Sequence, residues 1–261
     1  PLRLVGSEMC IRDRLDMCKK IETLDITLPL YQRDVSWTLN QAIDLLNYQL
    51  LGKAPVAPIS MNVIWDTDDF VPQVSFIDRE MLEMNSVDKG QMSVVDGQQR
   101  LTTNYKAYSN SDDFRNIVLD VARGRFLLVE GAFTRSQIPV GMLLNKDDAV
   151  FYDYLTKNNM MKDPTFMTVL VQCRSKIRSY YYTINQAEDL SEDEQIEWFE
   201  VLNNAGSRVS ALQMRFSKMK VHGIDIYTMY TLKFKNKLLE YGYDFFSPQK
   251  TSCLLYTSPS P

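Results

Sequence analysis

The stretch Val94-Val95-Asp96-Gly97-Gln98-Gln99-Arg100-Leu101-Thr102-Thr103 constrains the fold most. An apolar run of strand type meets a tight Asp-Gly turn, and polar residues then open a helix. A strand that feeds a helix through so short a turn points to a layered α/β arrangement. The first turn of a helix leaves backbone N–H groups without intrahelical partners at the positive end of the dipole, so phosphate oxygens bind well there, and Arg100 adds a charged fork. Gly97 lets the backbone approach a ligand closely. An isolated Asp-Gly is ordinarily a surface turn that reverses the chain, so the functional reading depends on what accompanies it.

The two ends need separate treatment. Gly6 to Asp13 and Cys253 to Pro261 can be back-translated as the two strands of one DNA element, which resembles the transposon adapter used to fragment sequencing libraries. Residues 1–14 and 252–261 are therefore expected to be translated adapter and are set aside from fold reasoning. That removes Arg3, Arg12 and Arg14 from the 29 basic residues and Glu8 and Asp13 from the 33 acidic ones, leaving 26 against 31. A mildly acidic chain does not advertise non-specific nucleic-acid binding, although local basic stripes can still meet phosphates. Cys10 and Cys253 fall in the terminal stretches, so Cys18 and Cys173 remain, without metal-ligand spacing or a disulfide framework. A reducing, cytoplasmic setting is expected. No apolar run is long enough to cross a membrane.

Between the ends, the patterns divide the chain near Lys146. Ile26-Thr27-Leu28 is extended and Pro29 to Arg33 is a loop. From Thr38 to Leu51, apolar Leu39, Ala42, Ile43, Leu46 and Leu50 follow helical spacing, with Thr38 as cap and Gly52 as terminator. Ile59 to Trp65 and Met92 to Val95 are predicted strands. Leu101, Tyr105 and Tyr108 share one face of the following helix. Ile117 to Val121 and Arg125 to Val129 form a strand pair turning at Arg123-Gly124. Beyond Asp147 the spacing predicts helices over 148–157, 164–184, 192–202, 211–220 and 224–241. The fold class is thus α+β, with a mixed α/β unit over 15–146 and an all-α helical half over 147–251.

The central box has company. Upstream stand Leu28-Pro29-Leu30-Tyr31-Gln32-Arg33 and Trp37; downstream stands Phe199-Glu200-Val201-Leu202-Asn203-Asn204-Ala205-Gly206-Ser207-Arg208-Val209-Ser210. Proline, tyrosine-glutamine-arginine, tryptophan, Asp-Gly-Gln-Gln-Arg-Leu-Thr-Thr and Phe-x-x-Leu-Asn-x-x-Gly-x-x-x-Ser, in that order, resemble the N-terminal domain of GmrSD-type restriction proteins. The Asp-Gly-x-x-Arg turn also resembles that of the wider ParB and sulfiredoxin-like fold. The family commonly has a second glycine where this chain has Ala205, and an acidic residue where it has Gln213. No cysteine occupies the turn, which argues against sulfiredoxin-like thiol chemistry. Locally, Gly206 ends one helix and Ser210 with Gln213 caps the next.

The resemblance implies a domain that binds a nucleoside triphosphate, with Mg2+, and hydrolyses it to license a C-terminal HNH-type nuclease against modified or foreign DNA; that nuclease would lie beyond residue 251. The alternative is a nucleotide-switched DNA sensor without hydrolysis. Asp96, Gln98, Gln99 and Arg100 would be catalytic: Asp96 holding a metal or polarising water, a glutamine orienting the attacking water, Arg100 neutralising phosphate charge. Gln32, Arg33, Gly97, Arg100, Thr102, Thr103 and Asn203 would contact nucleotide. Tyr31 and Trp37 are read as loop anchors, with base stacking as the alternative. Arg174 and Arg178 share a helical face, and their default reading is a solvated one, with contact to DNA phosphates as the alternative. There is no Walker A sequence and no dinucleotide glycine fingerprint.

Overall fold

The computed structural model describes residues 10–32, 37–52, 56–204, 219, 224, 229 and 232–241. In chain order these form β1 (Cys10–Asp13), α1 (Arg14–Glu22), β2 (Ile26–Pro29), α2 (Leu39–Leu51), β3 (Ile59–Ile64), β4 (Gln73–Val74), β5 (Gln91–Asp96), α3 (Gln98–Tyr108) and β6 (Ile117–Asp120). There follow β7 (Arg125–Leu128), β8 (Gln137–Pro139), α4 (Val140–Leu143), α5 (Asp148–Lys157), α6 (Pro164–Arg178), β9 (Tyr181–Glu188), α7 (Glu192–Asn204) and α8 (Leu232–Glu240). None of the described helices is long and apolar enough to cross a membrane.

The main sheet has the order β1-β9-β3-β5-β2-β4. It is mixed: β5 is parallel to β2 and antiparallel to β3, and β3 is parallel to β9. Alternation along the strands gives it two different faces. Ile26, Leu28, Met61, Val63, Met92, Val94, Tyr182 and Ile184 meet Met17, Ile21 and Leu101 from α1 and α3 in an apolar core. The alternate positions Thr27, Asn62, Gln91 and Ser93 are buried but polar. They are tied by side-chain bonds: Thr27 donates to Gln73 Oε1 at 2.8 Å, Gln91 Nε2 donates to Thr27 at 3.2 Å, and Asn62 Oδ1 accepts from the Leu190 N–H at 3.0 Å. On β5, α7 packs nearby.

A second core sits beside the first, around the three-stranded sheet β7-β6-β8. Ala42, Ile43, Leu46 and Leu50 of α2 pack there with Ile117, Leu119, Phe126, Phe151, Leu170 and Ile177. Helix α2 follows the sequence reading closely. Thr38 and Gln41 form a reciprocal capping box, and Gly52 ends the helix at φ +60°.

The all-α second half is corrected by β9. Helix α6 stops at Arg178 instead of running to Ile184, and residues 181–188 form a strand in the main sheet, between β1 and β3. The run Tyr180-Tyr181-Tyr182-Thr183-Ile184 is aromatic and β-branched, the composition that suits a pleated half-buried surface. Tyr182 and Ile184 enter the core while Tyr181 faces out, a period of two. The later part of the chain thus completes the sheet begun by the earlier part, and the described residues contain no separate helical half. The predicted helix over 211–220 falls, but for Met219, outside the described residues. Of that over 224–241, residues 232–240 are helical.

Strand β1 belongs to the stretch set aside as adapter. It is an edge strand on β9, whose other side is paired with β3. The ladder from β9 to β4 does not pass through it.

Candidate functional site

Strand β5 ends at Asp96, and Gly97 turns the chain straight into α3 at φ +103° without a side-chain cap. Only glycine fits. A Cβ there would stand 2.4 Å from Ile59 Cδ1 and 3.1 Å from Ile59 Cγ2, and the left-handed conformation is already unfavourable for residues with a side chain. The helical ladder starts with the Leu101 N–H donating to Gly97 O at 3.1 Å. Ahead of it lie the first-turn N–H groups of Gln98, Gln99 and Arg100, at the C-terminal end of a sheet strand, where open α/β sheets bind ligands.

The box residues are held from several sides. Arg100 Nη1 donates to Ala57 O at 3.0 Å, and Nη2 donates to Pro58 O at 3.1 Å and to Asp96 Oδ2 at 3.0 Å. Its guanidinium therefore clasps the segment entering β3 as well as the last residue of β5. The Arg100 side chain is 13% exposed and that of Asp96 37%. Gln32 is buried, its Nε2 donating to Val95 O at 2.5 Å and Val94 O at 3.3 Å, so the first loop is pinned to the end of β5. Gln99 Oε1 accepts from the Trp37 main-chain N–H at 3.2 Å, and Thr103 donates to Gln99 O at 2.9 Å. Gln98 and Thr102 are buried, and among the described residues neither the Gln98 Nε2 nor the Thr102 hydroxyl has a hydrogen-bond partner.

The structure brings Gln32, Asp96, Gly97, Gln98, Gln99 and Arg100 together at the end of β5. Thr102 and Thr103 stand one turn further along α3, on the wall of a cavity of about 370 Å³. Arg33 lies outside the described residues. Asn203 is in the last turn of α7, and its side chain also lies outside what is described. Helix α7 reaches the first loop through Tyr31, which is buried with its ring edge-on to Phe199 at 6.4 Å and its hydroxyl donating to Gln195 Oε1 at 3.4 Å. Burial pushes the Tyr31 phenol well above its ordinary pKa.

A family model described as the N-terminal domain of the GmrSD restriction endonuclease matches residues 15–220. The chain belongs to that family. No curated protein matches it. In this GmrSD N-terminal domain the matched span takes in the first loop, the β5–α3 turn and the whole of α7.

Sequence reasoning missed one brace of the first loop of the GmrSD domain. Arg79, at φ +58°, donates from its guanidinium to the Gln32 carbonyl, fixing the first loop from its other side. Its role depends on a left-handed loop conformation that no residue pattern announces. The solvated face read for Arg174 and Arg178 is corrected: Arg174 is buried, both donate to Asp148, at 2.6 and 2.7 Å, and Arg174 also donates to Leu143 O and lies over the Phe151 ring. Among the described residues, no three His, Cys, Asp or Glu side chains gather as a metal site.

Proposed function

We propose that this GmrSD N-terminal domain binds a nucleoside triphosphate with its phosphates on the β5–α3 turn, and that hydrolysis there governs a nuclease acting on DNA. The observation that carries the reading is the turn itself, with a glycine that tolerates no side chain opening an eleven-residue helix that has no side-chain cap. Anionic oxygens there would gain the first-turn N–H groups and the helix dipole together. Mg2+ would enter with the phosphates, as it commonly does with one or two protein carboxylates; Asp96 is the carboxylate of the box. A family of restriction endonuclease domains implies DNA as the substrate of the whole protein.

A specific observation favours a second reading, a nucleotide-switched sensor without turnover. Asp96 Oδ2 is engaged by Arg100 and Gln99 Oε1 by Trp37, so two of the groups that would polarise or orient water already serve the scaffold. Calorimetric titration of the chain with Mg2+ and each common nucleoside triphosphate, followed by a phosphate-release assay, separates the cases. Binding with release supports hydrolysis, binding without release supports the switch, and absence of binding at millimolar nucleotide rejects both.

Arg100→Ala is expected to act on stability as well as on binding. Three hydrogen bonds, one to a carboxylate, would be lost at a largely buried side chain whose acceptors Ala57 O and Pro58 O can still reach water. A loss of about 1–2 kcal/mol follows, to be measured as a lower urea midpoint at constant slope. An unchanged midpoint would mean that the clasp contributes nothing to the fold and that Arg100 is free to serve ligand alone.

A further inference from the structure

The cavity of about 370 Å³ beside α3 is within the range of small-molecule pockets, about 300–1,000 Å³. Trp37, Leu39 and Phe114 supply apolar and aromatic wall, and Thr103, Lys106 and Asp113 supply polar groups. Lys106 donates to Asp113, so a cation and an anion stand together on the wall. Thr102, buried and with an unpartnered hydroxyl among the described residues, lines the same cavity.

Two links join this cavity to the β5–α3 turn. Gln99 accepts the main-chain N–H of Trp37, so the box itself sets the position of the aromatic wall. Thr102 and Thr103 follow Gln98 and Gln99 by four residues, about 6 Å along the helix axis. That offset suits a molecule whose anionic end lies at the helix start and whose planar, uncharged end lies alongside the helix.

Resting on the triphosphate reading of the turn, we infer that this cavity receives the nucleoside end of the nucleotide, the base against Trp37 and Phe114 with its polar edge toward Thr103, Lys106 and Asp113. Trp37 supplies a stacking surface that every base can use and the buried Phe114 ring adds apolar wall, while the Lys106–Asp113 pair supplies both a donor and an acceptor to discriminate among bases. Gln99 then acts as a positioning residue, holding the Trp37 segment against α3.

The test uses the whole chain and three probes: a nucleoside triphosphate, the matching nucleoside, and inorganic tripolyphosphate. Trp37→Ala keeps the bond to Gln99, because that bond is made by the main chain. It is expected to weaken nucleoside triphosphate binding by roughly tenfold or more and to leave tripolyphosphate binding within about twofold, with Trp37→Phe recovering most of the loss. Equal triphosphate affinity in Trp37→Ala and parent would overturn the base pocket while leaving the phosphate turn intact. Equal losses for nucleotide and tripolyphosphate would also overturn it, since the residue would then act on the phosphate site. If tripolyphosphate fails to bind but the nucleoside binds in a Trp37-dependent way, the pocket stands and the phosphate reading falls. If no probe binds the parent, both fall.

Discussion

Gly97→Ala is expected to lower folding stability by about 3 kcal/mol or more, the sum of a left-handed backbone penalty and a forced core displacement. The added methyl would lie 2.4 Å from Ile59 Cδ1, a buried atom of the β3 wall. Gly124 supplies the comparison: it too has positive φ, at +63°, but a Cβ there meets nothing within 4 Å. Gly124→Ala therefore carries the backbone penalty alone, about 1–2 kcal/mol. Urea unfolding of both variants and the parent measures the difference, and equal losses would show that contact with Ile59 is unimportant. Ile59→Val removes Cδ1 and should recover part of the Gly97→Ala loss, a coupling expected only for residues that touch. The same glycine that opens the turn to an anion thus also seats it on the sheet.

The parts of this fold that were legible in the sequence are those whose causes are local. Thr38 with Gln41 and Gly52 bracket α2 by cap chemistry alone, and the Arg123-Gly124 turn joins β6 to β7 as its residues imply. The strand, turn and helix of the central box were equally plain, because apolar alternation, a positive-φ glycine and a polar helix start lie within ten residues. Strand β9 was not legible. Leu170, Arg174 and Ile177 continue a helical stripe on which Ile184 also lies, and the competing strand gains its stability from β3, more than a hundred residues earlier. Tertiary pairing overrides a weak local preference in such a case.

The candidate site divides in the same way. Sequence pointed to Gln32 and the box residues, which the structure places at the end of β5, but not to what they hold, because their acceptors are mostly main-chain carbonyls. Gln32 donates to Val94 and Val95, and Arg100 to Ala57 and Pro58, bonds that span about forty to sixty positions and depend on no side-chain identity in the partner. Gln32 and Arg100 thus hold the β5–α3 turn by main-chain carbonyls at its two flanks, the end of β5 and the segment entering β3.

Arg14→Met is expected to stabilise the chain. Arg14 is fully buried between α1 and α3, and both hydrogen bonds of its side chain go to Asn104: Nε to Oδ1 at 2.7 Å and Nη2 to the carbonyl at 2.9 Å. Its Nη1 has no hydrogen-bond partner among the described residues. Burial lowers the guanidinium pKa, with Cys18 and Tyr182 only partly opposing. A depressed folded-state pKa means that proton binding favours the unfolded chain, so the penalty holds at neutral pH and fades only as pH climbs toward the guanidinium range. Methionine fills much of the same volume without the charge. Asn104 would keep Gln49 as donor to its Oδ1 at 3.1 Å and Tyr182 as acceptor for its Nδ2. Removing the charge should therefore add about 1–3 kcal/mol, read as a higher melting temperature. If Arg14→Met melts lower than the parent, the two bonds to Asn104 outweigh the burial, and Arg14 should be counted among the residues that hold α1 to α3.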